Sequence, residues 1–228
     1  MQSDNRPLRY LCDDIFNMKL YRRYILYIGI CLGLLTSPFC SGSAEAKDFV
    51  VVIDAGHGGS DPGAVYEGRR EKDDNLSLAI AVGELLSRQG VSVIYTRTTD
   101  VYQTPFEKAQ MANQADADFF ISFHRNSSEE PNQYTGVETL VYDNSGIKQT
   151  MAENINGALS ELGFRNLGVK ARPGLVVLRR TKMPALLIET GFLNNEQDNT
   201  LYDEKQEEIA RAIADAVLGT LDLETVTE

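Results

Sequence analysis

The chain has 228 residues, 43% of them hydrophobic, enough to bury one sizeable core without demanding a second domain. Its 22 basic and 33 acidic side chains give a formal net charge of −11, which argues against nucleic acid as a partner and against electrostatic adhesion to anionic membranes or wall polymers. The three cysteines, Cys12, Cys31 and Cys40, all precede residue 41, so the body of the chain has neither a disulfide nor a thiolate ligand.

Residues 1–17 are expected to be an upstream extension, because Asp13 and Asp14 do not suit the basic start of an export signal. Met18 begins such a signal. Lys19, Arg22 and Arg23 precede the apolar run from Tyr24 to Leu35, and Ala44-Glu45-Ala46 offers a small-x-small cleavage site. The run is short for a membrane span, so a cleaved signal peptide over 18–46 and an exported protein without a permanent membrane span are expected.

Past Ala46 apolar runs alternate with helix-period segments, the pattern of a single α/β domain over 47–221 with a mostly parallel sheet and helices on both faces. The apolar runs predict strands at 49–54, 91–96, 118–124, 137–142, 174–178 and 185–190. Between the first two, Leu76, Ala79, Ile80, Gly83 and Leu86 recur at helical spacing and Gly90 supplies the stop, which makes a crossover helix. Further helices are predicted at 104–116, 145–162 and 203–221, with a flexible tail over 222–228.

Chemistry is suggested first by the only two histidines. His57 closes Val50-Val51-Val52-Ile53-Asp54-Ala55-Gly56-His57, and His124 closes Phe119-Phe120-Ile121-Ser122-Phe123-His124. Each run has the continuous apolar character of a strand buried on both faces, and ligands collect at the carboxyl ends of such strands. Two imidazoles delivered to one sheet edge need only carboxylates to complete a zinc site. Glu71 is the candidate third ligand, lying between the loop from Ser60 and the crossover helix; its spacing fits equally a residue that only favours the helix N-terminus.

Glu189 ends the apolar strand Ala185-Leu186-Leu187-Ile188, where a carboxylate needs a partner, either a metal-activated water or a salt bridge. Asp54 is a candidate for orienting the loop or a ligand histidine, whereas Asp61 and Glu138 fit ordinary turn and strand-face positions. Arg97, Arg125 and Asn126 are candidate substrate contacts. Each has a structural alternative: a pair with Asp100 for Arg97, loop stabilisation for Arg125 and Asn126. Phosphate loops, a nucleophile elbow, a cysteine nucleophile and the helix-borne H-E-x-x-H and H-x-x-E-H zinc patterns are absent from the body of the chain.

Taken in order, Val52 to Ala64, Glu71-Lys72-Asp73, Thr96-Arg97, Ala112-Asn113, Ala117-Asp118, Ser122 to Asn126 and Glu189 to Asn195 resemble the zinc-dependent N-acetylmuramoyl-L-alanine amidases from about residue 49 to 221. The resemblance implies a twisted six-stranded sheet, Zn2+ held by His57, Glu71 and His124, and Glu189 as the catalytic carboxylate. The implied reaction cleaves the amide between N-acetylmuramic acid and L-alanine in peptidoglycan, whose glycan strands with stem peptides are the partner. The Ser122-Phe123-His124-Arg125-Asn126 form is most similar to the germination-specific amidases of the spore cortex, which help to form muramic-δ-lactam and act in the cell wall or the intermembrane space of the forespore.

Three positions depart from the common family pattern: Arg125, where a small residue is usual, Phe123, where isoleucine is commoner, and Lys108, where an arginine is frequent. A vegetative wall-turnover or cell-separation amidase, a non-catalytic peptidoglycan-binding protein and a zinc carboxypeptidase are the alternatives. An activating protein partner that orders the metal site is a further expectation.

Overall fold

The computed structural model describes residues 48–227, so the extension expected at 1–17 and the signal expected at 18–46 lie outside the described residues. Strand β1 (Val50–Ala55) leads through a two-stranded hairpin, β2 (Val65–Tyr66) and β3 (Arg69–Arg70), into helix α1 (Glu71–Arg88). Then come β4 (Ser92–Tyr95), α2 (Pro105–Gln114), β5 (Phe119–Asn126), β6 (Val137–Val141), α3 (Gly146–Glu161) and β7 (Asn166–Ala171). The chain closes with α4 (Val176–Arg180), β8 (Ala185–Phe192), α5 (Glu196–Glu204) and α6 (Gln206–Thr227).

The six-stranded sheet has the order β4-β1-β5-β8-β6-β7. Neighbours from β4 to β8 are parallel, β6 runs antiparallel to β8, and β7 is parallel to β6. Because side chains alternate along a strand, successive apolar residues feed two cores. Val51, Ile53, Phe119, Ile121, Phe123 and Ile188 pack with α1, α3 and α6, whereas Val52, Phe120 and Leu187 pack with α2 and α4. Helices therefore cover both faces, and burial of all but the first residue of β1 and of the first five residues of β5 explains why their sequences are apolar runs.

One of the six predicted strands is misplaced. Leu175-Val176-Val177-Leu178, expected within a strand at 174–178, contributes to the short helix α4, and the edge strand is β7 instead. A four-residue apolar run has no period that separates the two states, and β7 shows little apolar signal because it is half-buried at the sheet edge. The hairpin β2–β3 and helix α5 were also not foreseen. The last helix continues through Thr227, past the expected end at 221.

Helix starts follow local rules. Thr104 caps α2 through a reciprocal pair in which the Glu107 N–H donates to Thr104 Oγ1 and the Thr104 N–H donates to the Glu107 carboxylate, with Pro105 opening the helix. That fixes the register of α2 and brings Lys108 inward. Helix α1 has no side-chain cap at Arg70; its first donors, Glu71 N–H and Lys72 N–H, bond to Ala64 O at 2.9 Å and Pro62 O at 3.1 Å. The loop after β1 thereby caps the helix that bears Glu71.

Candidate active site

Strands β1 and β5 pair in parallel, so His57, just past β1, and His124, near the end of β5, reach the same sheet edge. His57 adopts the left-handed region at φ 58, an uncommon conformation for a residue with a side chain. The turn requires glycine before it: a Cβ on Gly56 would lie 2.4 Å from the His124 ring. The two imidazoles meet edge-on, with centroids 4.9 Å apart.

Glu71 opens α1 between them. Its Oε1 lies 2.9 Å from His124 Nδ1 and 3.2 Å from His57 Nε2, and one ligand atom from each of the three residues lies within 4.8 Å of the others. The remaining Oε2 accepts from the Ala64 N–H at 2.9 Å, while Arg125 N–H also donates to Oε1 at 3.1 Å. Burial opposes ionisation of Glu71, but His124 and His57 outweigh it and hold the carboxyl well below its usual range. Burial likewise disfavours charged His57, yet Glu71 and then Asp61 raise it to about 9.

Glu189 faces this cluster from β8, where the register pairs it with His124 on one side and with Glu138 of β6 on the other. Its Oε2 is sealed from water and is without a hydrogen-bond partner. Burial pushes its carboxyl up to about 7; His124 pulls it down, and Glu71 and Glu138 push it further up. Glu138 is itself engaged by Lys170 and by Asn126 Nδ2 at 3.0 Å.

The donor set of two imidazole nitrogens and a carboxylate oxygen, with no sulfur, suits a divalent metal such as zinc, and three ligands leave a position open for chemistry. The unpartnered Oε2 of Glu189 fits the same interpretation, since a buried carboxylate oxygen without a donor calls for a proton or a water beside it. Near-neutral titration makes it a group that can both take and give a proton.

The two arginines singled out as substrate contacts are not presented to a substrate. Arg97 is 3% exposed and donates to Ala55 O, Gly56 O, Lys72 O and Thr99 O, stapling the loop to β1 and α1. Asp100, its expected partner, is bound instead by Lys72 Nζ at 2.7 Å and Gly59 N–H at 2.7 Å. Arg125 follows His124 on a strand, so alternation turns it to the opposite face, where Asp74, Asn199 and the Tyr202 ring hold it. Asn126 is half-buried beside Glu138 and also accepts from the Ser127 N–H.

Asp54 and Asp61 exchange the roles expected of them. Asp54, 1% exposed, accepts from Thr96 Oγ1 at 2.7 Å and Ser122 Oγ at 2.6 Å and pairs with Lys108 Nζ at 2.9 Å. It holds the ends of β1, β4 and β5 together. Asp61 bonds His57 Nδ1 at 2.8 Å and accepts from the Gly63 N–H, so it is the residue that orients the ring and leaves Nε2 toward Glu71. The four-residue separation of His57 and Asp61 across a glycine-rich turn was the available signal.

Residues 51–219 match the family described as N-acetylmuramoyl-L-alanine amidase. The chain is 37% identical over 152 residues to the sporulation-specific N-acetylmuramoyl-L-alanine amidase of Bacillus subtilis (strain 168), covering 65% of this chain and 58% of that protein, so the match spans little more than half of that curated relative. The crystal structure of N-acetylmuramoyl-L-alanine amidase from Clostridium difficile 630 superposes with a TM-score of 0.72 at 35% identity, covering 76% of this chain and 97% of that one. The CwlD amidase from Clostridioides difficile, solved in complex with the GerS lipoprotein, gives 0.69 at 31% identity and covers 77% and 99%. With nearly the whole described region matched by the family and the fold shared with these solved amidases, the chain belongs to the N-acetylmuramoyl-L-alanine amidase family.

Proposed function

We propose that this chain is a zinc-dependent hydrolase that cleaves the amide between N-acetylmuramic acid and L-alanine in peptidoglycan, with His57, Glu71 and His124 as metal ligands and Glu189 as the catalytic carboxylate. The observation that carries the proposal is the meeting of the nitrogen-oxygen cluster with the unpartnered Oε2 of Glu189 at one sheet edge. Zinc held by His57, Glu71 and His124 would supply Lewis acidity toward a water and toward the attacked carbonyl. The Glu189 carboxylate takes the proton released as the water oxygen bonds to the carbonyl carbon. It then delivers that proton to the nitrogen as the C–N bond breaks. Asp61 holds the His57 ring, and Glu71, kept ionised beside the two imidazoles, would offer a carboxylate oxygen to the metal.

The full chain, incubated with muropeptides and zinc beside a chelated control, tests this reading by mass spectrometry. Release of intact stem peptides beginning with L-alanine, only with metal, is expected. Free D-alanine in their place, or no release despite bound zinc, overturns it. The absence of cleavage together with retained glycan binding favours the non-catalytic alternative.

The spore cortex is the setting proposed for the reaction, as a step toward muramic-δ-lactam. Similarity to a sporulation-specific amidase supports it, as does similarity to an amidase solved with a lipoprotein, which also supports an activating protein partner here. Loss of muramic-δ-lactam from spores of a strain lacking this chain tests the cortex role; normal lactam with altered vegetative cell separation points to wall turnover. Export through a signal at 18–46 is part of the same proposal. Among the described residues no helix is long and apolar enough to cross a membrane.

A further inference from the structure

A cavity of about 270 Å³ adjoins the metal cluster and shares both histidines as lining. Its opposite wall is apolar, built by Pro105 from the start of α2 and by Leu175, Val176 and Val177 from the start of α4. The charged groups it touches are already engaged: Asp54 with Lys108, Asp61 with His57. Gln103 is the exception. Gln103 lines the cavity, its Oε1 is closed off without a partner among the described residues, and its Nε2 meets the Met111 sulfur at 3.4 Å. An amide oxygen left without a donor costs stability, and a turn of this half-buried side chain toward the cavity would let a ligand's N–H meet it.

Such a pocket accepts a neutral, partly apolar group carrying one amide. Within the proposed amidase function, on which this inference rests, two different groups flank the scissile bond. The stem peptide carries carboxylates, which no unpaired cation in this lining would receive and which a chain of net charge −11 repels at long range. The muramoyl side carries a neutral acetamido group and a lactyl methyl. We propose that this cavity is the muramoyl subsite, in which the Gln103 amide hydrogen-bonds the acetamido group and the Leu175–Val177 wall packs on its methyl.

Two neighbours of Gln103 extend the site outward. Tyr102 is 51% exposed and Phe106 is 50% exposed, large rings half open to solvent that flank in sequence the cavity residues Gln103 and Pro105. They provide faces for the next pyranose of the glycan. Specificity on this side thus resides in residues 102–106 and 175–177, apart from the metal ligands.

The test uses the full chain and two muropeptides that differ only in N-acetylation of the muramoyl residue. The zinc-loaded chain is expected to cleave the acetylated one about tenfold faster in kcat/KM, the worth of one hydrogen bond together with its packing. Long-range charge works the other way, since the free amine is cationic and the protein acidic. Gln103→Leu should remove most of that preference by slowing the acetylated substrate alone. Independently, the peptide-free disaccharide should bind the chain by NMR titration, and Val176→Phe, at a half-buried position, should abolish that binding while zinc content stays unchanged.

Equal cleavage of the two muropeptides, equal losses on both in Gln103→Leu, or displacement of the disaccharide by free stem peptide overturns the assignment. A failure of the amidase reading appears differently, as no cleavage of either muropeptide by the zinc-loaded chain. The disaccharide titration judges the subsite on its own.

Discussion

Replacing Lys108 with methionine keeps most of the stem and removes the ammonium that faces Asp54 at 2.9 Å, between side chains 4% and 1% exposed. Asp54 then keeps only the Thr96 and Ser122 hydroxyls, and its least costly escape is to take up a proton. From the ordinary carboxyl value of 3.8, that uptake at pH 7 costs about 1.36 × (7 − 3.8), roughly 4.4 kcal/mol. This lies within the ~3–5 kcal/mol typical of a broken buried pair. At pH 5 the same cost falls to about 1.6 kcal/mol.

In the wild-type protein burial works against the Asp54 charge, but Lys108 and the two hydroxyls overcome it and the carboxyl is held below 3.8. Its contribution is therefore complete above 3.8 and is lost only as the pH falls through the folded value. Between pH 5 and 7 the variant loses about 1.4 kcal/mol per pH unit relative to wild type. Urea unfolding of both proteins at the two pH values measures it, and a melting-temperature drop of roughly 9–18 °C should accompany the loss at pH 7. A loss under about 1 kcal/mol at pH 7, or an equal loss at both pH values, refutes the reasoning.

Glu189→Gln should keep its zinc and lose roughly 10²–10⁴ in turnover. In chelated protein the folded state binds the Glu189 proton up to about 7 against 4.5 in the unfolded chain, so stability falls as the pH rises between those values, and the variant, free of that decline, should be ~3 kcal/mol more stable than wild type at pH 8. A chelated variant that melts lower than wild type at pH 8 contradicts this. Asp61→Asn should weaken zinc about 10–100-fold through loss of the 2.8 Å contact with His57 Nδ1; competition against a chromophoric chelator measures it, and an unchanged affinity removes Asp61 from the proposed role.

What sequence reasoning reached, and what it did not, divides by the range of the interactions. His57, His124 and Glu189 stood out because each ends an apolar run, and strand ends in a parallel sheet share one edge whatever the surrounding detail. Partners fixed by tertiary geometry were not legible in this way. Lys108 reaches Asp54 from a helix more than fifty positions away, and nothing local to either residue announces the pair. For Arg125 the sequence leaves substrate contact and a structural role open, because adjacency to His124 suggests a shared task while the pleat sends neighbouring strand residues to different faces. The Leu175–Leu178 run was ambiguous by length alone, and its conversion to a helix is what builds the apolar wall beside the histidines.

The loop that caps α1 has a consequence for how the site can be watched. Because the Glu71 and Lys72 amides bond to Ala64 O and Pro62 O, outside the helix, they are protected only while that loop is closed over the helix start. Their hydrogen-exchange rates therefore report loop opening directly, whereas amides further along α1 report the opening of the helix itself. Glu71 carries both the reporting amide and the carboxylate between the histidines. One exchange measurement on the free chain, and again with a metal or an activator added, follows the ordering of the ligand cluster at a single residue.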